Sequence, residues 1–449
     1  MANDRDSLIE EGVGLQHRGH IQAALACYEK ALAIDPESAR AHHNRASALL
    51  SLKLHKGALA SCEAALALDP GYIPALQDRG CVLQALGRNE DALACYDRIL
   101  AVEPDFVVVL HNRGIALKDL NRLDEAIASY DRALALRPDR YEALWDKGSA
   151  MIASGDLSGG FQAREARWDT PLMRKFRPDT TSPQWRGAAP VDGKRILLHA
   201  EGGLGDSIQF VRYVPLLAGR GARVILRLPV PLCPLFERLA GVDQIITQSD
   251  PLPPHDLHCS LMSLPYAFGT TLATIPNSVP YLAALPDRVA YWKQRLPPGG
   301  GPVGGIVWAG NPAHASDSLR SMPLSALLPC LTPNVTWISL QKVIPDRDRR
   351  VLEGATHLIR WGEEDRGLAD SAAQIKCLDF IIAVDTALAH LAGALARPVW
   401  ILLMYGCDWR WMRERTDSPW YPTARLFRQE TPGDWTGPVE QVTRCAATR

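Results

Sequence analysis

The chain of 449 residues lacks any run of about 18 apolar residues, so no segment reads as a membrane-spanning helix. It also lacks an excess of either charge. The 49 Lys+Arg stand against 50 Asp+Glu, a formal net charge of -1, and this argues against a protein that grips nucleic acid through a broad basic face. The first residues, Met1 to Glu11, are rich in acids and hold no apolar core of a secretory leader, so a cytoplasmic protein is expected. The ten cysteines, at 27, 62, 81, 95, 233, 259, 330, 377, 407 and 445, include no C-x-x-C pair. They read as reduced and mostly buried thiols, with no disulfide framework and no metal site. Apolar residues themselves are not scarce: 47% hydrophobic against 22% charged is the balance of a folded protein of two to four domains.

What is present first is a repeat. Pro36, Pro70, Pro104 and Pro138 recur every 34 residues. Ala24, Ala58, Ala92 and Ala126 stand twelve before each proline, Tyr28, Cys62, Tyr96 and Tyr130 eight before, and Leu32, Leu66, Leu100 and Leu134 four before. Small residues where helices cross, a large residue in the groove and proline at the helix end make this the period and pattern of tetratricopeptide repeats. The resemblance covers about residues 5–155, and a divergent fifth helix pair reaching Trp168 is expected to dock on the next domain. Residues 1–155 carry 17 Lys+Arg and 22 Asp+Glu, a balance of -5, which leaves +4 for the remainder. Asn44, Asp78, Asn112 and Asp146, each followed by Arg or Lys, recur at one point of each first helix. They read either as a polar ladder holding an extended peptide or as solvated surface copied by duplication.

Residues 169–192 are a proline-rich linker from Pro171 to Asp192-Gly193. Beyond it, apolar strand runs alternate with helices: Arg195–Ala200, Arg223–Leu228 and Gln244–Thr247, then, after the glycine-rich break 297–305, Val303–Trp308, Val335–Leu340, His357–Arg360, Phe380–Val384 and Val399–Leu403. This alternation predicts two parallel α/β lobes, 193–298 and 299–449, with a cleft at the carboxyl ends of their strands.

Three loops at those ends carry candidate chemistry. Gly202, Gly203 and Gly205 would let backbone approach a ligand, and Asp206 beside them is either a general base or a helix-capping carboxylate. Ile208 breaks the dinucleotide fingerprint. Asn311 and Arg320 lie in a polar loop suited to a diphosphate, the alternative being an Arg320–Asp317 surface pair. Asp385 and Thr386 open a helix whose first amides could hold phosphate, with His390 on the same face.

Gly205-Asp206 after the first strand, the segment Gly367–Val384 and the Asp385-Thr386-x-x-x-His390-Leu-Ala-Gly run together resemble the ADP-heptose:lipopolysaccharide heptosyltransferase family (glycosyltransferase family 9) over about residues 193–405. The resemblance implies a GT-B fold of two Rossmann-like lobes and metal-free, inverting transfer from a nucleotide diphosphate sugar. It implies Asp206 as the base, Arg320 as the phosphate-binding cation, and Asp385, Thr386 and His390 as the donor motif, with Gln341 on the same donor side. Ala387 stands where that family usually has glycine, and Arg320 where it usually has lysine. The whole layout resembles bacterial tetratricopeptide-repeat glycosyltransferases, with a protein or glycan acceptor recruited by the repeats and no cofactor beyond the donor substrate. Two alternatives are an adaptor with a non-catalytic GT-B module and an O-GlcNAc-transferase-like enzyme using a UDP sugar. The aromatic run from Trp409 and Trp411 through Trp420 and Tyr421 to Trp435 reads as a tail packed on the first lobe or as a lid over a base or sugar.

Overall fold

A computed structural model describes residues 2–448 except 300, 315 and 407, so Gly300 of the glycine-rich break, Ala315 of the second loop and Cys407 lie outside the described residues, as do Met1 and Arg449. The chain divides into two compact units, Met1–Ala150 and Met151–Arg449.

The first unit is all helical: α1 (Ala2–His17), α2 (Ile21–Ile34), α3 (Ala39–Ser51), α4 (His55–Leu68), α5 (Ile73–Ala85), α6 (Asn89–Val102), α7 (Val107–Asp119), α8 (Leu123–Leu136) and the start of α9 (Tyr141–Ser154). Each second helix stops two residues before the repeat proline. The intervening residues Asp35, Asp69, Glu103 and Arg137 take φ between −121° and −139°, the extended conformation that a following proline ring imposes. The turn inside each repeat requires positive φ, supplied by Gly19 (81°), Lys53 (59°), Gly87 (75°) and Asn121 (59°).

Packing between the two helices of a repeat follows a volume rule. A Cβ on Gly12, Gly80 or Gly114 would fall within 3.0 Å of the ring of Tyr28, Tyr96 or Tyr130 respectively. In the second repeat the small position is Ala46 and the large one is Cys62, both buried. The added methyl is matched by the missing ring, which keeps the helix spacing constant.

The second unit holds two parallel sheets. The first contains β1 (Arg195–His199), β2 (Arg223–Leu228), β3 (Val242–Thr247) and β4 (Leu257–Ser260) in the order β3-β2-β1-β4. The second contains β5 (Val303–Val307), β6 (Thr336–Ser339), β7 (Leu358–Arg360), β8 (Phe380–Val384), β9 (Val399–Leu403) and β10 (Ala424–Arg428) in the order β10-β9-β8-β5-β6-β7. All pairings are parallel. The strand alternation sorts side chains to two faces. Ile381, Ala383 and Ile401 join a core that also holds Ile196 and Leu198 of the first sheet, while Phe380, Ile382 and Trp400 face a second core shared with Trp337 and Val442. One apolar core therefore runs through both lobes of this unit.

Two expectations need correction. The helix expected between the first two strands is broken into Leu204–Phe210, a tight turn at Val211–Tyr213 and Val214–Ala218. Pro215 has no N–H to donate and so cannot sit inside a continuous helix. β4 and β10 were not expected. In addition, the Pro286–Lys293 helix packs on the second lobe: Arg288 Nε meets Asp370 Oδ1 at 2.5 Å and Trp292 lies 5.0 Å from Trp361.

Candidate active site between the two lobes

β1 delivers Glu201 and the turn Gly202-Gly203 to the start of the Leu204–Phe210 helix. Gly202 has φ of 73°, and a Cβ there would strike the Asp206 carboxylate. The Gly203 amide donates to Asp206 Oδ2 at 2.6 Å, so Asp206 closes the helix start from within its first turn. Its other oxygen accepts from Arg410 Nη2. The base and capping readings of Asp206 therefore meet in one residue: the carboxylate is at the lobe junction, and it is already paired.

Gly205 belongs to the helix and not to a ligand-cradling loop. A Cβ on it would stand 2.9 Å from His390 Cδ2 and 3.5 Å from Ala387 Cα. Glycine is needed here because the Leu204–Phe210 helix of one lobe rests directly on the Ala387–Ala394 helix of the other.

β8 ends at Val384, Asp385 follows it, and Thr386 caps the Ala387–Ala394 helix. The Thr386 hydroxyl is buried without a hydrogen-bond partner. In the first turn the Ala389 amide donates to the Thr386 carbonyl at 3.0 Å, while those of Ala387 and Leu388 have no intrahelical acceptor, as at any helix start. Arg320 Nη1 donates to the Asp385 carbonyl at 3.1 Å and Nε lies 3.4 Å from Asp317 Oδ1, so the guanidinium is held beside this helix start. The surface-pair alternative is thus half of the arrangement. His390 is buried, shares a 2.9 Å hydrogen bond from Nδ1 with the Tyr421 hydroxyl and stacks on Trp411 at 5.2 Å. Burial, then Arg410, lowers its pKa to about 3, so it is a neutral imidazole at working pH.

Carboxylates crowd the same place. Burial and then the neighbouring Asp408 push Asp385 up to about 6, while Arg410 overcomes burial to hold Asp408 below its usual range. Arg410 also donates from Nη1 to Asp408 Oδ1 at 2.8 Å and from Nε to Gln209 Oε1 at 2.8 Å, with its carbon 4.0 Å from the Trp409 ring centre. Sequence reasoning passed over Asp408 and Arg410 because they sit inside an aromatic run that reads as packing. Much of that run does pack: Trp409 and Trp420 lie 6.2 and 5.9 Å from Phe210.

Glu201 and Arg167 form a second feature that was missed. Arg167 Nη2 and Nε donate to the two Glu201 oxygens at 2.6 and 3.2 Å, Nη1 donates to Glu165 Oε1 at 2.6 Å, and Ser263 completes the network. The Glu201 side chain is fully buried, so this pair fixes the residue from which the glycine turn departs. Nothing in the spacing of Arg167 and Glu201 signals it.

The remaining candidates do other work. Gln341 spends its side chain on backbone, accepting from Trp308 N (3.1 Å) and Ala309 N (3.0 Å) and donating to Ala309 O and Val343 O (both 3.0 Å). It clamps the loop after β5 and has no group left for a donor. Asn311 is exposed and closes its own turn, accepting from Ala313 N at 3.0 Å. In the repeats, Asp78 lies 3.3 Å from His43 Nε2 and Asp146 lies 2.9 Å from His111 Nε2, each one repeat away, and Asn112 donates to Cys81. Asn44 is half-buried. These contacts tie successive repeats together. A cavity of about 750 Å³ opens elsewhere on the second lobe, lined by Pro323, Trp435, Val439 and Arg444 among others.

Among the described residues no helix is long and apolar enough to cross a membrane, and no group of three or more His, Cys, Asp or Glu is arranged to hold a metal ion.

Residues 10–73, 73–106 and 107–140 match the tetratricopeptide repeat. The chain is similar to Protein FlbA of Caulobacter vibrioides, 27% identical over 310 residues, 64% of this chain and 51% of that protein. It therefore spans about half the length of that relative. Among solved structures it is similar to a thermophilic TPR protein of Thermus thermophilus (24% identity, 37% of this chain and 92% of that one, TM-score 0.33). It is also similar to YrrB, a TPR protein with an unusual peptide-binding site (21% identity, 36% and 84%, TM-score 0.32). The N-terminal unit is thus an array of tetratricopeptide repeats, a module for protein interaction, joined to an α/β unit of two parallel sheets.

Proposed function

We propose that the α/β unit transfers a sugar from a nucleotide diphosphate sugar, by an inverting and metal-independent route of the heptosyltransferase kind, to a protein or glycan recruited by the repeats. The observation that carries this reading is the start of the Ala387–Ala394 helix, where an unpaired Thr386 hydroxyl, the amides of Ala387 and Leu388 and Arg320 converge. A diphosphate leaving group needs such fixed donors where its charge develops. Asp206 stands on the opposite lobe, where a base for the acceptor hydroxyl belongs.

A screen of ADP, UDP and GDP sugars for turnover tests the reading. At least one donor is consumed, Asp206→Asn lowers turnover by roughly 10²–10⁴-fold, and EDTA changes nothing. Arg320→Ala weakens nucleotide binding roughly 10–150-fold, the loss of one charge-assisted contact. A UDP-sugar preference would favour the O-GlcNAc-transferase-like alternative. The adaptor alternative draws support from the paired state of Asp206 and the direct contact of Gly205 with His390. It predicts no donor consumed and an Asp206→Asn variant altered in stability alone.

A further inference from the structure

We propose that Arg410 is a second cation for the donor diphosphate, held by Asp206 in the unliganded protein and passed to a phosphate oxygen when the donor binds. The proposal rests on the donor-site reading above and adds to it an exchange of ion pairs between the two lobes.

Three observations converge on Arg410. First, it crosses the lobe junction, reaching Asp206 and Gln209 on the Leu204–Phe210 helix and Asp408 on its own side. Second, the turn that presents it, Trp409–Trp411, ends at Met412 with φ 56° and ψ 174°, a conformation nearly restricted to glycine. Backbone held in that state is characteristic of positions where a side chain's placement matters more than local comfort. Third, the cations are crowded. The Arg164 guanidinium lies 4.7 Å from the ring centre of the same Trp409, and burial followed by Arg410 and Arg167 lowers the Arg164 pKa to about 10. An added anion relieves that repulsion.

The exchange follows from charge. A diphosphate arriving at Thr386 and Arg320 meets the carboxylates of Asp385, Asp408 and Asp206, which all act on Arg410. Turning Arg410 from Asp206 to the phosphate offsets that repulsion and leaves Asp206 unpaired on the acceptor side. Binding and unmasking of Asp206 are then linked, and linkage is reciprocal: whatever weakens the Asp206–Arg410 pair strengthens diphosphate binding.

ADP, UDP and GDP are titrated calorimetrically into the full chain and into Arg410→Gln, Arg410→Lys, Asp206→Asn and the Arg410→Gln/Asp206→Asn double variant. The account expects Arg410→Gln to bind at least roughly 10-fold more weakly, with Arg410→Lys between it and the parent. Asp206→Asn should bind roughly 3–10-fold more tightly, since Asn keeps the Gly203 contact and drops the competing charge. That gain should vanish in the double variant. A merely structural Arg410 would shift melting without making Asp206→Asn bind more tightly. If Arg410→Gln fails to fold, the Asp206→Asn titration decides alone. Parent-like affinity in folded Arg410→Gln, or unchanged or weaker binding by Asp206→Asn, overturns the exchange while leaving the donor site standing. If no nucleotide binds the parent chain, the donor-site reading falls and takes this proposal with it.

Discussion

The two units place glycine against a large side chain for different ends. In the repeats the contact recurs at Gly12–Tyr28, Gly80–Tyr96 and Gly114–Tyr130, and one repeat replaces it with Ala46 and Cys62. In the α/β unit it occurs between lobes at Gly205–His390, where the histidine is also bound to Tyr421 and stacked on Trp411. Repetition lets the first unit vary a contact, because each repeat is a small sum of nearest-neighbour terms. The second unit builds its junction once. The same difference divides the charges. Arg113–Asp97 and Lys147–Asp131 are surface pairs between helices, whereas Arg167–Glu201 is fully buried.

Four changes sharpen that contrast, the largest first. Arg167→Ala leaves Glu201 buried and uncompensated, and should cost the α/β unit about 3–5 kcal/mol in denaturant unfolding. Arg113→Ala should cost about 1 kcal/mol or less. Equal losses would erase the distinction between the units.

The second change is in pH. Burial lowers His199 and His390 to about 3, below their unfolded value of 6.5. Their stabilisation is complete above about pH 6.5 and is lost as pH falls toward 3, by up to about 1.4 kcal/mol per pH unit for each histidine. Asp385 acts in the opposite sense. Its folded value of about 6 lies above the unfolded 3.8, so its contribution is present at low pH and lost as pH rises through 6. Denaturation curves between pH 7 and 5 should therefore flatten in His390→Gln and steepen in Asp385→Asn. Parallel curves for all three proteins would contradict the burial of these groups.

The third is a double-mutant cycle. Gly114→Ala overfills the Tyr130 groove and should cost about 1–3 kcal/mol. Adding Tyr130→Cys should recover part of that loss, because the pair then copies Ala46 and Cys62. Strictly additive losses would show that the repeats do not trade volume in this way. The smallest effect is a gain. Lys53 is an exposed residue at φ 59° where the neighbouring repeats use glycine or asparagine, so Lys53→Gly should raise stability by about 0.5–1 kcal/mol.

How much of this was legible depends on what each signal encodes. The repeat prolines, tyrosines and alanines mark helix ends and crossings, so α1 to α8 could be read from their 34-residue period. Central strands such as β8 and β9 are unbroken apolar runs and were equally plain. β4 and β10 are edge strands, short and partly polar, and edge strands carry the weakest pattern. At the site, Gly205, Asp206, Arg320, Thr386 and His390 stand out because they follow strand ends. Arg410 does not, because its meaning lies in a partner 204 residues away, and Glu201, though it follows β1, takes its meaning from a partner 34 residues away. Gln341 shows the converse case, a polar residue at a strand end whose side-chain hydrogen bonds go to the backbone.

The most direct test of the central claim is a crystal structure of the full chain grown with the nucleoside diphosphate that binds it most tightly. The account predicts the phosphates at the start of the Ala387–Ala394 helix, within hydrogen-bond distance of the Thr386 hydroxyl and Arg320 and facing Asp206 across the lobe junction. A nucleotide seated instead in the 750 Å³ cavity beside Trp435, with the Thr386 hydroxyl still unpaired, would contradict it.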